Sequence, residues 1–274
     1  MVIVNACTDG THAFLESYVQ QVGVDERLPM RWEAEPIPGK SYALNRGICL
    51  VESGSLAFVD DDHRVDSQYL EAVCRAFDRH PEADLFCGRI LPDWDGSESD
   101  WVHDQGQYKI YPLPVPHIDL GDRAQEILPG GLVPGGGNLA LRREVFDAIG
   151  YFSVELGPKG HDLAGGEDSD FVLRALNVGH RLRYVPEMIQ YHYVDPQRLK
   201  MGYLLRKSLQ RSRAAVAMKQ VEAPAAVPLY LYRKLFGYTL QAIFSLTTNR
   251  RRFYMVRMAA AIGEIAGYRM RFQK

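Results

Sequence analysis

Leu56-Ala57-Phe58-Val59-Asp60-Asp61-Asp62 is the stretch on which the fold of this chain turns. Four apolar residues make a run short enough for a buried strand. Three carboxylates follow at its carboxyl end, the side on which open α/β sheets receive ligands. Adjacent negative charges repel one another and are costly to take out of water, so a positive group is expected beside them. A hard divalent cation, Mg²⁺ or Mn²⁺, prefers oxygen ligands of this kind and commonly bridges carboxylates to substrate phosphates. The alternative is an exposed acidic turn ahead of a helix capped by Asp66 or Ser67.

Working outward, strands and helices alternate. Residues 1–4 are an apolar strand, 11–21 a helix, 31–34 a short strand and 42–52 a helix. An amphipathic helix is expected over 67–79, a strand over 84–90, and helices over 142–149 and 168–177. Strands at 181–186 and 188–191 follow, and after Asp195-Pro196 the chain turns helical and basic. This alternation predicts a largely parallel α/β sheet. Residues 91–134, rich in Pro, Gly, Asp and Trp, form a long loop of the functional kind.

The 274 residues suffice for a full core, and a composition of 46% hydrophobic and 24% charged residues is that of an ordinary soluble protein. No basic segment followed by an apolar one opens the chain, so no secretory signal is expected. Cys7, Cys49, Cys74 and Cys87 lack C-x-x-C spacing, which excludes a structural zinc reading and leaves reduced thiols as the default.

The net charge of -2 hides an asymmetry. Residues 198–274 hold 16 Lys and Arg against Glu222 and Glu264, leaving 16 bases and 32 acids for the rest of the chain. A basic tail of this kind faces anionic lipid or nucleic acid. No nucleic-acid motif accompanies it, and the lipid is preferred. Residues 229–246 are rich in Leu, Tyr and Phe, but Arg233 and Lys234 leave too short an uncharged run to span a bilayer. An interfacial amphipathic helix is expected there, the alternative being a packed helical pair.

Four further pieces carry chemistry. Gly135-Gly136-Gly137-Asn138 lets backbone approach a ligand closely and permits positive φ, or is simply a turn. Gly165-Gly166-Glu167-Asp168-Ser169-Asp170 opens a helix with three acids, as cap and first-turn charges or as the seat of a general base. His192, in Tyr191-His192-Tyr193, is a packed histidine or a ligand of the metal or phosphate. Trp94 and Trp101 offer faces to a sugar ring, or pin the loop.

In order along the chain stand Cys7-Thr8-Asp9-Gly10-Thr11, Pro38-Gly39-Lys40-Ser41 with Leu44-Asn45-Arg46-Gly47, and Phe58-Val59-Asp60-Asp61-Asp62. Then come Gly137-Asn138-Leu139-Ala140-Leu141-Arg142-Arg143, Gly150-Tyr151-Phe152, Gly166-Glu167-Asp168-Ser169-Asp170, and Tyr184-Val185-Pro186 leading to His192. Over roughly residues 2–215 this set resembles the family 2 glycosyltransferases of the GT-A fold. Asp195-Pro196-Gln197-Arg198-Leu199 with Leu205-Arg206-Lys207 is similar to bacterial members that act on surface polysaccharides or glycolipids.

The resemblance implies a GT-A domain over 1–197, a Rossmann-like, mostly parallel mixed sheet with flanking helices, followed by a basic helical extension over 198–274. It implies inverting transfer from a nucleotide-diphosphate sugar (UDP, GDP or dTDP) to a glycan or lipid-linked acceptor, with Mn²⁺ or Mg²⁺. Asp60 and Asp62 match the D-x-D motif for the metal and the diphosphate, with His192 near the diphosphate as a further metal ligand. Asp168 matches the general base, with Glu167 beside it. Lys40, Asn45, Arg46, Asp61, Gly137 and Asn138 line the donor pocket. The implied setting is the inner face of the plasma membrane, with the tail as peripheral contact.

Family members begin with one more strand and helix. Here Met1-Val2-Ile3-Val4 matches the second strand, and Val4 takes the place of a base-reading aspartate. An exposed sheet edge is therefore expected. The same departure supports a second reading, a non-catalytic relative acting as partner or scaffold at a membrane glycan-assembly site.

Overall fold

A computed structural model describes residues 1–22, 30–111, 113–131, 134–156, 166–217 and 226–271. The chain divides into two compact units, Met1–Leu91 with Ile118–Tyr191, and Pro92–His117 with His192–Lys274.

The elements of the first unit alternate as the sequence requires. They are β1 (Val2–Asn5), α1 (Thr11–Val22), β2 (Trp32–Glu35), α2 (Lys40–Cys49), β3 (Ser55–Ala57), β4 (His63–Val65) and α3 (Tyr69–Arg79). β5 (Leu85–Asp93), β6 (Gln125–Ile127), β7 (Leu139–Arg142), α4 (Glu144–Ile149), α5 (Glu167–Asn177) and β8 (Leu182–Tyr193) follow.

A six-stranded mixed sheet runs β3-β7-β5-β8-β4, with β6 also on β8. β7 is antiparallel to both neighbours, Leu141 standing opposite Leu56 on β3 and opposite Leu85 on β5. β5 and β8 run the same way: the Leu85 amide donates to the Arg181 carbonyl, and farther along Gly88 lies against the Met188 carbonyl. β1 and β2 pair in parallel as a sheet of their own. No ladder joins them to β3 among the described residues. Val4 is buried on β1.

The strands are apolar on both faces because both faces are covered. Leu85, Cys87, Leu139 and Leu141 meet Phe146, Phe171 and Val172 from α4 and α5. Phe152 stacks on Phe171 with ring centroids 4.4 Å apart. The intervening Phe86 and Ala140, with Val185 and Met188, pack beneath Tyr69, Ala72, Val73 and Ala76 of α3. This is the period-2 alternation of a strand set against the amphipathic face of a helix.

Local differences from the sequence reading have simple causes. α3 starts at Tyr69 rather than near residue 67, with Gln68 at its N-cap. Asp66 does not cap the helix but closes a turn, its carboxylate accepting from the Gln68 amide at 3.0 Å. Residues 63–65 are β4, because the Asp66 amide bonds the Ile189 carbonyl on β8. The two strands expected around Pro186 are one strand of 12 residues. The 91–134 segment holds β6 and a 3-10 turn over Asp100–His103.

The second unit carries α6 (Met201–Ala217), α7 (Leu229–Ile243) and α8 (Thr248–Arg271). α6 and α8 come so close that a Cβ on Gly263 would stand 2.2 Å from the Leu209 carbonyl oxygen, and one on Gly267 2.7 Å from that of Arg213. Ser208 Oγ adds a 3.0 Å hydrogen bond to the Val256 carbonyl. Trp101 is buried with Val102 and Leu204, beneath the Arg252 guanidinium at 5.0 Å, and Trp94 packs against the same cluster. Of the two readings of Trp101, the pin is the one realised; its face is taken by the arginine.

Candidate functional site

The triple aspartate forms a tight turn just beyond β3. The Phe58 amide still reaches the Leu139 carbonyl at 2.9 Å, and the His63 amide donates to the Asp60 carbonyl at 3.0 Å. The turn leaves Asp61 exposed and half-buries Asp60 and Asp62. The outer two carboxylates of the motif thus share an environment that the middle one does not.

Two helix starts converge on this turn. Lys40 is the first residue of α2, after Gly39, whose φ of 141° favours glycine. Its Nζ lies 3.0 Å from both carboxylate oxygens of Asp60 and 3.7 Å from Asp168 Oδ2. Burial acts to lower the Lys40 pKa, but the Asp168 and Asp60 carboxylates outweigh it and hold the ammonium above its ordinary value. Asp168 is the second residue of α5, after Gly166 at φ 122°. Glu167, Asp168 and Asp170 occupy the first turn, where the helix dipole favours negative charge.

Capping does not account for all of this acidity. Glu167 is buried, and neither its Oε2 nor Asp168 Oδ1 has a hydrogen-bond partner among the described residues. Burial first, and the Asp168 charge second, raise the Glu167 pKa. Two such oxygens beside Lys40 suit a ligand that brings a proton or positive charge. Glycines 136 and 137 run between the two acidic sites. A Cβ on Gly136 would sit 2.2 Å from Asp168 Oδ1, and one on Gly137 2.8 Å from both Asp60 Oδ2 and His63 Cε1. Close approach explains these glycines; neither adopts positive φ.

A buried polar network supports the turn from beneath. Gln190, fully buried on β8, donates its two amide hydrogens to the Phe58 carbonyl at 3.0 Å and the Tyr69 hydroxyl at 2.8 Å, with Asn138 Oδ1 3.3 Å from the same nitrogen. That fixes its amide orientation and aims Oε1 at His63 Nδ1, 2.6 Å away, so the network assigns the proton to Nδ1. His63 Nε2 lies 3.9 Å from Asp62 Oδ1. Burial pushes the Tyr69 hydroxyl up to about 12, and it donates to Asn138 Oδ1. Asn138 in turn donates to the carbonyls of Arg89 and Met188, both at 2.8 Å.

The residues expected at the site are thus sorted. Lys40, Asp60, Glu167 and Asp168 come together around glycines 136 and 137, with Asp61 and Asp62 on the same turn. Asn138 lies in the supporting network. Asn45 uses both ends of its amide on the backbone of Phe152, at 2.9 and 3.0 Å. Arg46 reaches Glu33 at 3.6 Å. His192, in the second unit, is buried one residue from the end of β8, with Nδ1 toward the Tyr193 carbonyl. Gly165 lies outside the described residues. Sequence reasoning missed His63, Tyr69 and Gln190, for nothing in the spacing of these three polar residues brings them together.

Residues 56–262 match the family described as glycosyl transferase family group 2. The chain belongs to that family. A glucosyl-dolichyl phosphate glucuronosyltransferase of Haloferax volcanii is 20% identical over 171 residues, 62% of this chain and 52% of the relative. The chain therefore spans about half the length of that curated relative. Among solved structures, a mannosyltransferase from Pyrobaculum calidifontis in complex with GDP-Man and Mn²⁺ aligns with TM-score 0.51 and 16% identity, covering 96% of this chain and 77% of the other. GalNAc-T7 with UDP, GalNAc and Mn²⁺ aligns at 0.50 and 13%, covering 96% and 50%. The fold of this family member is the GT-A glycosyltransferase fold.

Proposed function

We propose that this glycosyltransferase moves a sugar from a nucleotide-diphosphate donor to a glycan or lipid-linked acceptor, with inversion and with a divalent cation. The observation that carries this reading is the pair of acidic sites held on either side of glycines 136 and 137. One bears Lys40 on Asp60; the other has Asp168 Oδ1 and Glu167 Oε2 without hydrogen-bond partners among the described residues. The all-oxygen donors of Asp60 and Asp62, half-buried on one turn, fit a hard cation such as Mn²⁺ or Mg²⁺. Such a cation would neutralise a departing diphosphate.

The chain's own residues account for the remaining roles. Lys40 adds a fixed positive charge toward the phosphates. Asp168 accepts the proton of the acceptor hydroxyl as the hydroxyl oxygen attacks the anomeric carbon and the bond to the diphosphate breaks. One displacement inverts that centre. Burial and the Asp168 charge make Glu167 a weaker acid than an ordinary carboxyl, and it stands beside Asp168 at the start of α5. His192 is the further candidate at the diphosphate. The basic tail meets an anionic membrane from the cytoplasmic side, where a lipid-linked acceptor would lie.

Titrating UDP-, GDP- and dTDP-sugars with and without Mn²⁺, by thermal shift and calorimetry, tests this. One donor should bind in a Mn²⁺-dependent manner, and Asp62→Ala should abolish that dependence without unfolding the chain. The second reading, a non-catalytic partner, draws on the separation of β1 and β2 from the main sheet. Absence of binding by every donor would favour it.

A further inference from the structure

α7 is apolar on two opposite faces, and only one of them is covered. Leu231 and Ala242 are buried, and Lys234 ties the helix to α8 through Glu264 at 2.8 Å. At about 100° per residue, Leu229, Tyr232, Phe236, Leu240, Ile243 and Phe244 fall on one arc on the other side. All six are exposed, Leu229 at 80%, Phe236 at 67% and Phe244 at 72%, and Leu246 just beyond is exposed at 95%. A helix on the surface of a soluble protein carries charged and polar residues on this side. Here the arc contains a single exposed cation, Arg233, and Arg250 and Arg251 follow at the start of α8. A contiguous apolar face of this size marks an interaction site.

We propose that this face of α7 docks flat on an anionic lipid bilayer. Its apolar side chains enter the acyl boundary, and the arginines meet the headgroups. Charge complementarity selects the occupant. Residues 198–274 hold 16 bases against two acids. Of those acids Glu264 is already neutralised by Lys234, and Glu222 lies outside the described residues. A second copy of this chain would bring the same positive charge to the interface, and a nucleic acid would leave the apolar arc in water. No described helix is long and apolar enough to cross a membrane. α7 reaches only about 22 Å against a hydrocarbon core of about 30 Å, so it lies in the interface plane. The proposal deepens the membrane contact proposed above and does not depend on the transfer reaction.

The test uses the full chain and no donor, so failure of the enzymatic reading leaves it untouched. A Phe236→Trp variant is mixed with vesicles of phosphatidylcholine alone or with phosphatidylglycerol, some carrying brominated acyl chains. The added indole fluorescence should be quenched by brominated chains in the anionic vesicles, and quenching should weaken with salt. Phe236→Ser with Ile243→Ser, both at exposed positions, should keep the melting temperature and lower vesicle partition by roughly tenfold or more, the cost of returning large apolar side chains to water. An unquenched indole, partition unmoved by the double substitution, or binding indifferent to lipid charge and salt would each overturn the proposal. So would a dimer in light scattering that the double substitution dissolves, which would make the face a protein interface.

Discussion

Asp60 and Asp168 hold the same ammonium: Lys40 Nζ lies 3.0 Å from the first and 3.7 Å from the second. One residue follows β3 and the other opens α5, so the lysine ties together parts of the chain that are distant in sequence. Lys40 carries one positive charge against the Asp60 and Asp168 carboxylates, and Asp61 and Asp62 stand on the same turn as Asp60. The carboxylates around it hold the Lys40 ammonium above its ordinary pKa.

Asp168→Asn should leave donor binding nearly intact and lower turnover by about 10²–10⁴-fold, the usual range for losing a general base. Asparagine keeps the shape but cannot accept the proton. Steady-state kinetics beside calorimetric titration of the donor separates the two effects. Unchanged turnover with a lower melting temperature would reduce Asp168 to a first-turn helix charge.

Gly136→Ala tests the same carboxylate from the other side. The added methyl would fall 2.2 Å from Asp168 Oδ1, the end of a side chain that can swing away. The backbone there has ordinary φ, so the fold should survive with little change in melting temperature. Displacing the carboxylate by about an ångström should cost about 10²-fold in turnover. Turnover equal to that of the parent chain would show that Asp168 need not be held where it is.

The fold was legible wherever a single segment carried the signal. The apolar runs of β5 and β8 and the amphipathic α3 were placed to within a few residues, because burial on both faces writes continuous apolar runs. β4 and β6 were not, since three residues show no period and their partners lie far along the chain. Pro186 divided β8 on paper, yet the ladder continues past it. The acidic clusters were legible as charge too dense for caps alone. Gln190, Tyr69 and His63 were not, because their common buried site exists only once α3, β4 and β8 have packed. Asn45 was read as pocket lining; that its amide also latches the Phe152 backbone had no signal in the sequence.

Gln190→Leu should be costly although it is a swap of similar volume. It strips the Tyr69 hydroxyl, the Phe58 carbonyl and His63 Nδ1 of buried partners. Leaving such groups unsatisfied costs about 1–3 kcal/mol each, and partial relaxation suggests a loss of about 2–4 kcal/mol in denaturant unfolding. Mn²⁺ affinity should fall as well, since Phe58 and His63 bracket the aspartate turn. Unchanged stability would mean that the network contributes nothing to holding that turn.

Glu167→Gln should stabilise the ligand-free protein at neutral pH. Burial and the neighbouring Asp168 raise the Glu167 pKa above its ordinary 4.5, so the folded chain binds this proton more tightly than the unfolded chain does. Between the two pKa values the folded state holds more protons, and stability therefore falls as pH rises through that window. Below the unfolded value both states are protonated and Glu167 brings no penalty; above the folded value the penalty is complete. Glutamine resembles the protonated acid at every pH. The variant's melting temperature should therefore match the parent's near pH 4 and exceed it at pH 7–8. Differential scanning calorimetry across this range measures it. A stabilisation that is the same at pH 4 and pH 8 would show that the carboxylate's ionisation is not its source, and a destabilisation at pH 8 would mean that ionised Glu167 contributes to the fold.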